Sequence, residues 1–177
     1  QQFDASRRVF LQRSALGMAG MTMAGTAYGM IIGRNGFEIT TTEFAIPNLP
    51  PEFDRFVIGL VSDIHSGMYM LPGQMNEYVR AVNDLGADLI AVPGDFVNGR
   101  VEEVYPFAEA FGNLRAPHGV YGVLGNHDFY SGAPDTVASE IEKSGIQILR
   151  DASVSISRGG ARIRIAGVDD VGRNDRA

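Results

Sequence analysis

With 177 residues, 45% of them hydrophobic and 20% charged, the chain has material for one domain with a sizeable core, which excludes intrinsic disorder. The net charge of −6 is unevenly placed: residues 1–34 hold Arg7, Arg8, Arg13 and Arg34 against Asp4 alone, and the rest, with 11 basic and 20 acidic residues and no basic cluster, is unsuited to a nucleic-acid partner. There is no cysteine, which excludes disulfides, thiolate metal sites and cysteine nucleophiles.

The first segment reads as targeting rather than fold. Ser6-Arg7-Arg8-Val9-Phe10-Leu11 precedes an uncharged run from Ser14 to Gly33 that is rich in Gly, Ala and Met. Paired arginines, Phe-Leu and a mildly apolar stretch look like a twin-arginine signal, read by the twin-arginine export machinery. The run is about the length needed to span a bilayer, so residues 1–36 are expected to be a signal that is either removed or kept as an anchor. The flanking arginines place the N-terminus inside the cell. The remainder is then exported across, or anchored to, the cytoplasmic membrane and faces the outside, with the membrane surface as a potential partner.

From residue 37 the pattern is that of an α/β domain. Phe37–Ile46 is Thr-rich and β-branched and predicts a strand, followed by a stiff connector, Pro47-Asn48-Leu49-Pro50-Pro51. Phe56–Val61, Leu89–Val92 and Val120–Leu124 are short apolar runs of the kind that form buried central strands. Between them, Pro72–Leu85 carries Met75, Tyr78, Val79, Val82 and Leu85 at helical spacing, with Gly86 as a stop. Val104, Phe107, Ala108, Phe111 and Leu114 mark a second helix, and Val137–Ser144 a third. Ile146–Leu149, Val154–Ile156 and Ile163–Ile165 read as further strands, with a hairpin turn at Arg158-Gly159-Gly160.

Three chemistry-bearing motifs each follow one of the buried strands. They are Asp63-Ile64-His65, Gly94-Asp95-Phe96-Val97-Asn98 and Gly125-Asn126-His127-Asp128. In open α/β sheets ligands bind at the carboxyl ends of the strands, so neighbouring strands would bring these loops together. Carboxylate, imidazole and amide donors suit divalent ions of hard or borderline character, namely Mn, Fe, Zn or Mg. An extended Asp-x-His would point both side chains the same way, and Gly94 and Gly125 would allow sharp turns.

On these motifs, residues 55–170 resemble the calcineurin-like metallophosphoesterase superfamily. The series Asp-x-His, Gly-Asp and Gly-Asn-His-Asp is present in order at the family's usual separations. The resemblance implies a four-layer αββα sandwich, with residues 37–177 as the N-terminal part of the domain. It implies that Asp63 and His65 bind a first metal, that Asp95 bridges two divalent metal ions, and that Asn126 binds the second. His127 would lie by the scissile phosphate and Asp128 would orient it. The implied reaction is hydrolysis of a phosphate mono- or diester by a metal-bridged hydroxide.

The family also uses three later histidines, whereas this chain has only His65, His118 and His127. The simplest expectation is a chain that stops before the site is complete, inactive by itself and with exposed sheet edges. A degenerate, non-catalytic binding module is the alternative. Substrates compatible with export are a phospholipid, a nucleotide or a cell-envelope ester. A lipid A precursor of the UDP-diacylglucosamine type is the alternative substrate, but its cleavage is cytosolic. Asn98 reads equally as a cap or a site residue, His118 as solvent-facing, and Asp169-Asp170 as a solvated loop.

Overall fold

The structure, a computed structural model, describes residues 5–31 and 36–170. Gly33 and Arg34, at the end of the uncharged run, and the side chains of Arg7 and Arg8 lie outside the described residues, as do residues 171–177. The chain divides into two units, Gln1–Ala45 and Ile46–Ala177.

In the first unit, helix α1 spans Ala5–Ile31. Thr22 and Thr26 return their hydroxyls to the carbonyls of Met18 and Thr22, each at 2.9 Å, as hydroxyl residues do inside a helix. Among the described residues no helix is long and apolar enough to cross a membrane. Residues 36–46 form no strand, contrary to the expectation for Phe37–Ile46. Phe37, Ile39, Phe44 and Ile46 are exposed, and β-propensity has effect only where a neighbouring strand and a buried face give the side chains something to pack against.

The second unit opens with the proline connector, where Leu49 N–H donates to the Ile46 carbonyl at 3.3 Å. It then builds a four-stranded parallel sheet in the order β1-β2-β3-β4. The strands are β1 (Ile58–Leu60), β2 (Leu89–Pro93), β3 (Val120–Val123) and β4 (Gln147–Ile148). Ile58 pairs with Leu89, Ile90 with Val120 and Tyr121 with Gln147. Four helices come from the connections: α2 (Pro72–Asp84), α3 (Val104–Phe111), α4 (Asn126–Tyr130) and α5 (Pro134–Lys143). Pro72 suits the first turn of α2, and Gly86, at φ +60°, closes its far end as expected.

The alternation of β2 separates two cores. Ile90 and Val92 point into the main core with Met75, Val79 and Val82 of α2, Phe107 and Phe111 of α3, and Val137 and Ile141 of α5. Leu89 and Ala91 point the other way, toward Phe53 and a hairpin of β5 (Ala152–Arg158) and β6 (Ala161–Gly167) that contributes Val154, Ile156, Ile163 and Ile165. A two-residue turn closes that hairpin. Gly159 and Gly160 have φ of +59° and +92°, the sign that a primed turn requires at both central positions.

The fold is therefore mixed α/β, with helices, parallel sheet and hairpin as three stacked layers among the described residues, as expected of the N-terminal part of a four-layer sandwich. On β1, Gly59 faces Val82 and Ala87 of the helix side, so Ile58 and Leu60 face the hairpin side, and both stay exposed.

Candidate metal centre

The three motif loops leave β1, β2 and β3 at their carboxyl ends, and the first two are joined by main-chain hydrogen bonds. Asp63 N–H donates to the Gly94 carbonyl (3.4 Å), His65 N–H to that of Asp95 (2.9 Å) and Ser66 N–H to that of Phe96 (2.9 Å). An apolar residue anchors each loop in the main core: Ile64 between Asp63 and His65, Phe96 after Asp95, and Leu124 before Gly125. Phe96 packs on Phe107, with ring centroids 5.0 Å apart.

The backbone at the ligand positions is unusual. Asp63, His65 and Asp95 have φ of +56°, +47° and +52°, a region non-glycine residues occupy at a cost of order 1–3 kcal/mol each. This corrects the idea that an extended Asp-x-His aims its side chains together, because both residues are left-handed around the buried Ile64. The carboxylate of Asp63 is exposed and accepts a hydrogen bond from Ser62 Oγ.

Close approach of the second and third loops requires their glycines. A β-carbon on Gly94, itself at φ +80°, would lie 2.5 Å from the Gly125 nitrogen. One on Gly125 would overlap Oδ1 of Asp95 and sit 2.5 Å from its nitrogen. In this contact His127 N–H donates to Asp95 Oδ1 at 2.9 Å.

The side chains that converge are His65, Asp95 and His127. One ligand atom from each lies within 4.8 Å of the others. His65 Nε2 is 3.6 Å from Asp95 Oδ2, and its ring meets that of His127 edge-on with centroids 4.5 Å apart. His65 Nδ1 is buried with no hydrogen-bond partner among the described residues. Two imidazoles and a carboxylate, one ring nitrogen orphaned, are a donor set that fits a divalent ion of borderline hardness. Of the four expected metal ligands, His65 and Asp95 are thus brought together, while Asp63 lies outside the convergent set. Asn126 is half-buried at the first position of α4, between the glycine that packs on Asp95 and the histidine that bonds to it.

Asp128 has partners other than those expected. It is fully buried, its Oδ1 accepts the N–H groups of Phe96 (2.9 Å) and Val97 (3.1 Å), and its Oδ2 accepts that of Gly125 (2.8 Å). It therefore joins the second loop to the third, and the His127 ring instead donates from Nδ1 to the main-chain carbonyl of Asn98, at 2.7 Å. Burial raises the Asp128 carboxyl from 3.8 to about 6, helped by the charge of Asp95 and opposed by the three N–H donors.

Two residues gained importance from the structure. Glu103, outside the motifs, accepts three N–H groups of the Asp95 loop. Its only sequence signal is capping-box spacing from Arg100, weak because Arg100 is not a capping type. Asp169, set aside as solvated, is mostly buried and pairs with Arg150 at 2.9 Å, just past β4. His118 is not solvent-facing: it is half-covered, its ring 5.4 Å from that of Phe56.

Residues 56–174 match the family described as calcineurin-like phosphoesterase. The chain is 30% identical over 177 residues to a transmembrane protein with metallophosphoesterase domain from Bos taurus, covering 97% of this chain and 39% of that protein. It is 26% identical over 147 residues to the protein of the same description from Danio rerio (81% of this chain, 34% of that one). With a metallophosphoesterase of Aquifex aeolicus it shares 31% identity over 120 residues (68% and 44%). The chain thus spans less than half the length of these curated relatives, which come from vertebrates as well as a bacterium.

Proposed function

The chain belongs to the calcineurin-like phosphoesterase family, and from that premise we propose that it supplies metal-binding and proton-handling residues for hydrolysis of a phosphate mono- or diester with two divalent ions. The family hydrolyses phosphoesters in general and binds divalent metals. The observation that carries the proposal for this chain is the convergence of His65, Asp95 and His127 within 4.8 Å at the tips of adjacent parallel strands.

In the proposed arrangement Asp63, His65 and Asp95 hold a first ion, and Asp95 and Asn126 a second. When bound, the ions would act as Lewis acids and offset the phosphoryl charge. The Nε2 of His127, which meets His65 and Asp95, would either take a place on the first ion or, when protonated, donate to the leaving oxygen, and Asp128 would act at one remove, by fixing the loops of Asp95 and Gly125 against each other. Asp95 and Asn126 would give the second ion two donors and the first ion would have three, so the chain should hold the first more tightly. The second reading is a module that binds a cation without catalysis.

For location, we propose export through the twin-arginine route. The support is the Arg7-Arg8 pair ahead of a weakly apolar run on α1, and the bovine relative's description as a transmembrane protein fits membrane association. On that basis an extracytoplasmic phospholipid, nucleotide or cell-envelope ester is preferred to a cytosolic lipid A precursor.

Calorimetric titration with Mn²⁺ or Zn²⁺, beside hydrolysis of bis(p-nitrophenyl) phosphate, tests the site. Binding that Asp95→Asn weakens at least 10-fold is expected. A chain that binds neither ion, or an Asp95→Asn variant that binds and turns over as the parent does, would overturn the proposal. Binding without any turnover would fit a non-catalytic module and equally an enzyme of which this chain spans only part, as it does of its relatives.

A further inference from the structure

The loop that carries Asp95 is held by a carboxylate that none of the motifs contains. A single oxygen of Glu103, Oε2, accepts the N–H groups of Asn98 (2.9 Å), Gly99 (2.9 Å) and Arg100 (3.0 Å). A glutamate that merely caps a helix start would bond the residue three positions before it, here Arg100. Glu103 takes that donor and the two before it, so it grips the loop itself. Its place is set from behind, because it leads directly into α3, whose Val104 and Phe107 are fully buried. Its other oxygen abuts the first loop, where a β-carbon on Gly67 would lie 2.8 Å from Oε1.

The loop held in this way ends at the His127 ring. The Asn98 N–H, besides meeting Glu103, donates to the Ser66 carbonyl at 3.1 Å, which fixes the peptide between the first two loops. The Asn98 carbonyl then faces His127 Nδ1 at 2.7 Å. A carbonyl can only accept, so Nδ1 must carry the proton, and the neutral ring keeps its lone pair on Nε2.

We propose that Glu103 is a positioning residue that sets the orientation and tautomer of His127 through the Asn98 carbonyl, leaving Nε2 free to bind a cation or to exchange a proton with a phosphate ester. The use of Nε2 rests on the proposed function, whereas the tautomer does not. Lost support of this kind typically weakens a metal site about 10- to 100-fold.

The test uses the full chain labelled with ¹⁵N in histidine, metal-free, at about pH 8. The chain has three histidines, so the ring signals are few, and His118→Asn removes one set. The parent should show His127 as a single Nδ1–H tautomer. Glu103→Ala should give a mixture of tautomers and a 10- to 100-fold weaker affinity for Zn²⁺ by calorimetry. Glu103→Gln, which still offers one carbonyl oxygen to the three donors, should restore both. A folded Glu103→Ala variant with the parent's His127 signals would overturn the proposal, and so would a Glu103→Gln variant as impaired as the alanine. If the alanine variant does not fold, Glu103→Asp replaces it, since the shorter acid keeps the charge but not the reach. A parent-like aspartate variant beside an impaired glutamine variant would overturn the proposal. A parent that binds no Zn²⁺ at all would count against the proposed function, and the tautomer signals would still decide the role of Glu103.

Discussion

Replacing Asp128 by asparagine tests which of two opposed effects dominates at the junction of the second and third loops. The carboxylate accepts three main-chain N–H groups, which favours its charged form, yet it is fully buried beside Asp95, which favours the neutral one. Burial dominates, and the carboxyl is raised from 3.8 to about 6. A shift of about two units corresponds to about 3 kcal/mol. Because the folded value lies above the unfolded one, this stability is fully present below about pH 4 and lost as pH rises through about 6. Asparagine does not titrate, and its NH₂ must oppose one of the three N–H donors, which costs about 1–3 kcal/mol. In urea unfolding of the metal-free chain, Asp128→Asn should therefore be less stable than the parent by about 1–3 kcal/mol at pH 4.5. The gap should shrink by up to about 3 kcal/mol by pH 7, nearly closing or reversing. Titrating groups that do not interact with Asp128 cancel in the difference. A gap that widens between those pH values would refute the reasoning, because it would mean that the N–H donors outweigh burial.

Gly125→Ala should destabilise the fold by about 1–3 kcal/mol and abolish Zn²⁺ binding, since its β-carbon would displace Asp95; thermal melting and calorimetry check both. Zn²⁺ at about 100 times its dissociation constant should stabilise the parent by about 2.7 kcal/mol, an increment that chelator removes and Asp95→Asn lacks in the same melting assay. Phe107→Ala should cost about 3–5 kcal/mol in urea unfolding, because it removes a fully buried ring stacked on Phe111 at 4.3 Å and packed against Phe96. His118→Asn should leave Zn²⁺ affinity within about 2-fold of the parent, since that ring packs against Phe56 instead of joining the convergent set; calorimetry decides.

Much of the fold could be read from local pattern. The strands before each motif, the apolar faces of α2, α3 and α5, and the Gly159-Gly160 turn all depend on residues within a few positions of one another, and the structure places them within three residues of expectation, although β1, expected as a buried central strand, lies at the sheet edge with Ile58 and Leu60 exposed. The strand expected over 37–46 failed for the complementary reason, that a strand needs a partner its own residues cannot specify. In the site, the residue types of the three loops identified the chemistry, and their places after parallel strands predicted that they meet. Asp63 did not join the convergent set, because left-handed backbone at Asp63 and His65 replaced the extended segment that periodicity suggested.

The sequence by itself determined the element order, the sheet edge that bears the ligands and the donor types available there, because these follow from periodicity and from the identity of adjacent residues. Only the tertiary structure decided which donors converge and what holds them. Asp128 bonds to Phe96 and Val97 across more than 30 residues, and Asn98 reaches His127 across 29. Glu103 is close to its donors in sequence, yet its importance comes from the distant ring that those donors orient. Contacts of this kind leave no periodic trace in the chain, since they exist only once the parallel strands have set three separate loops side by side.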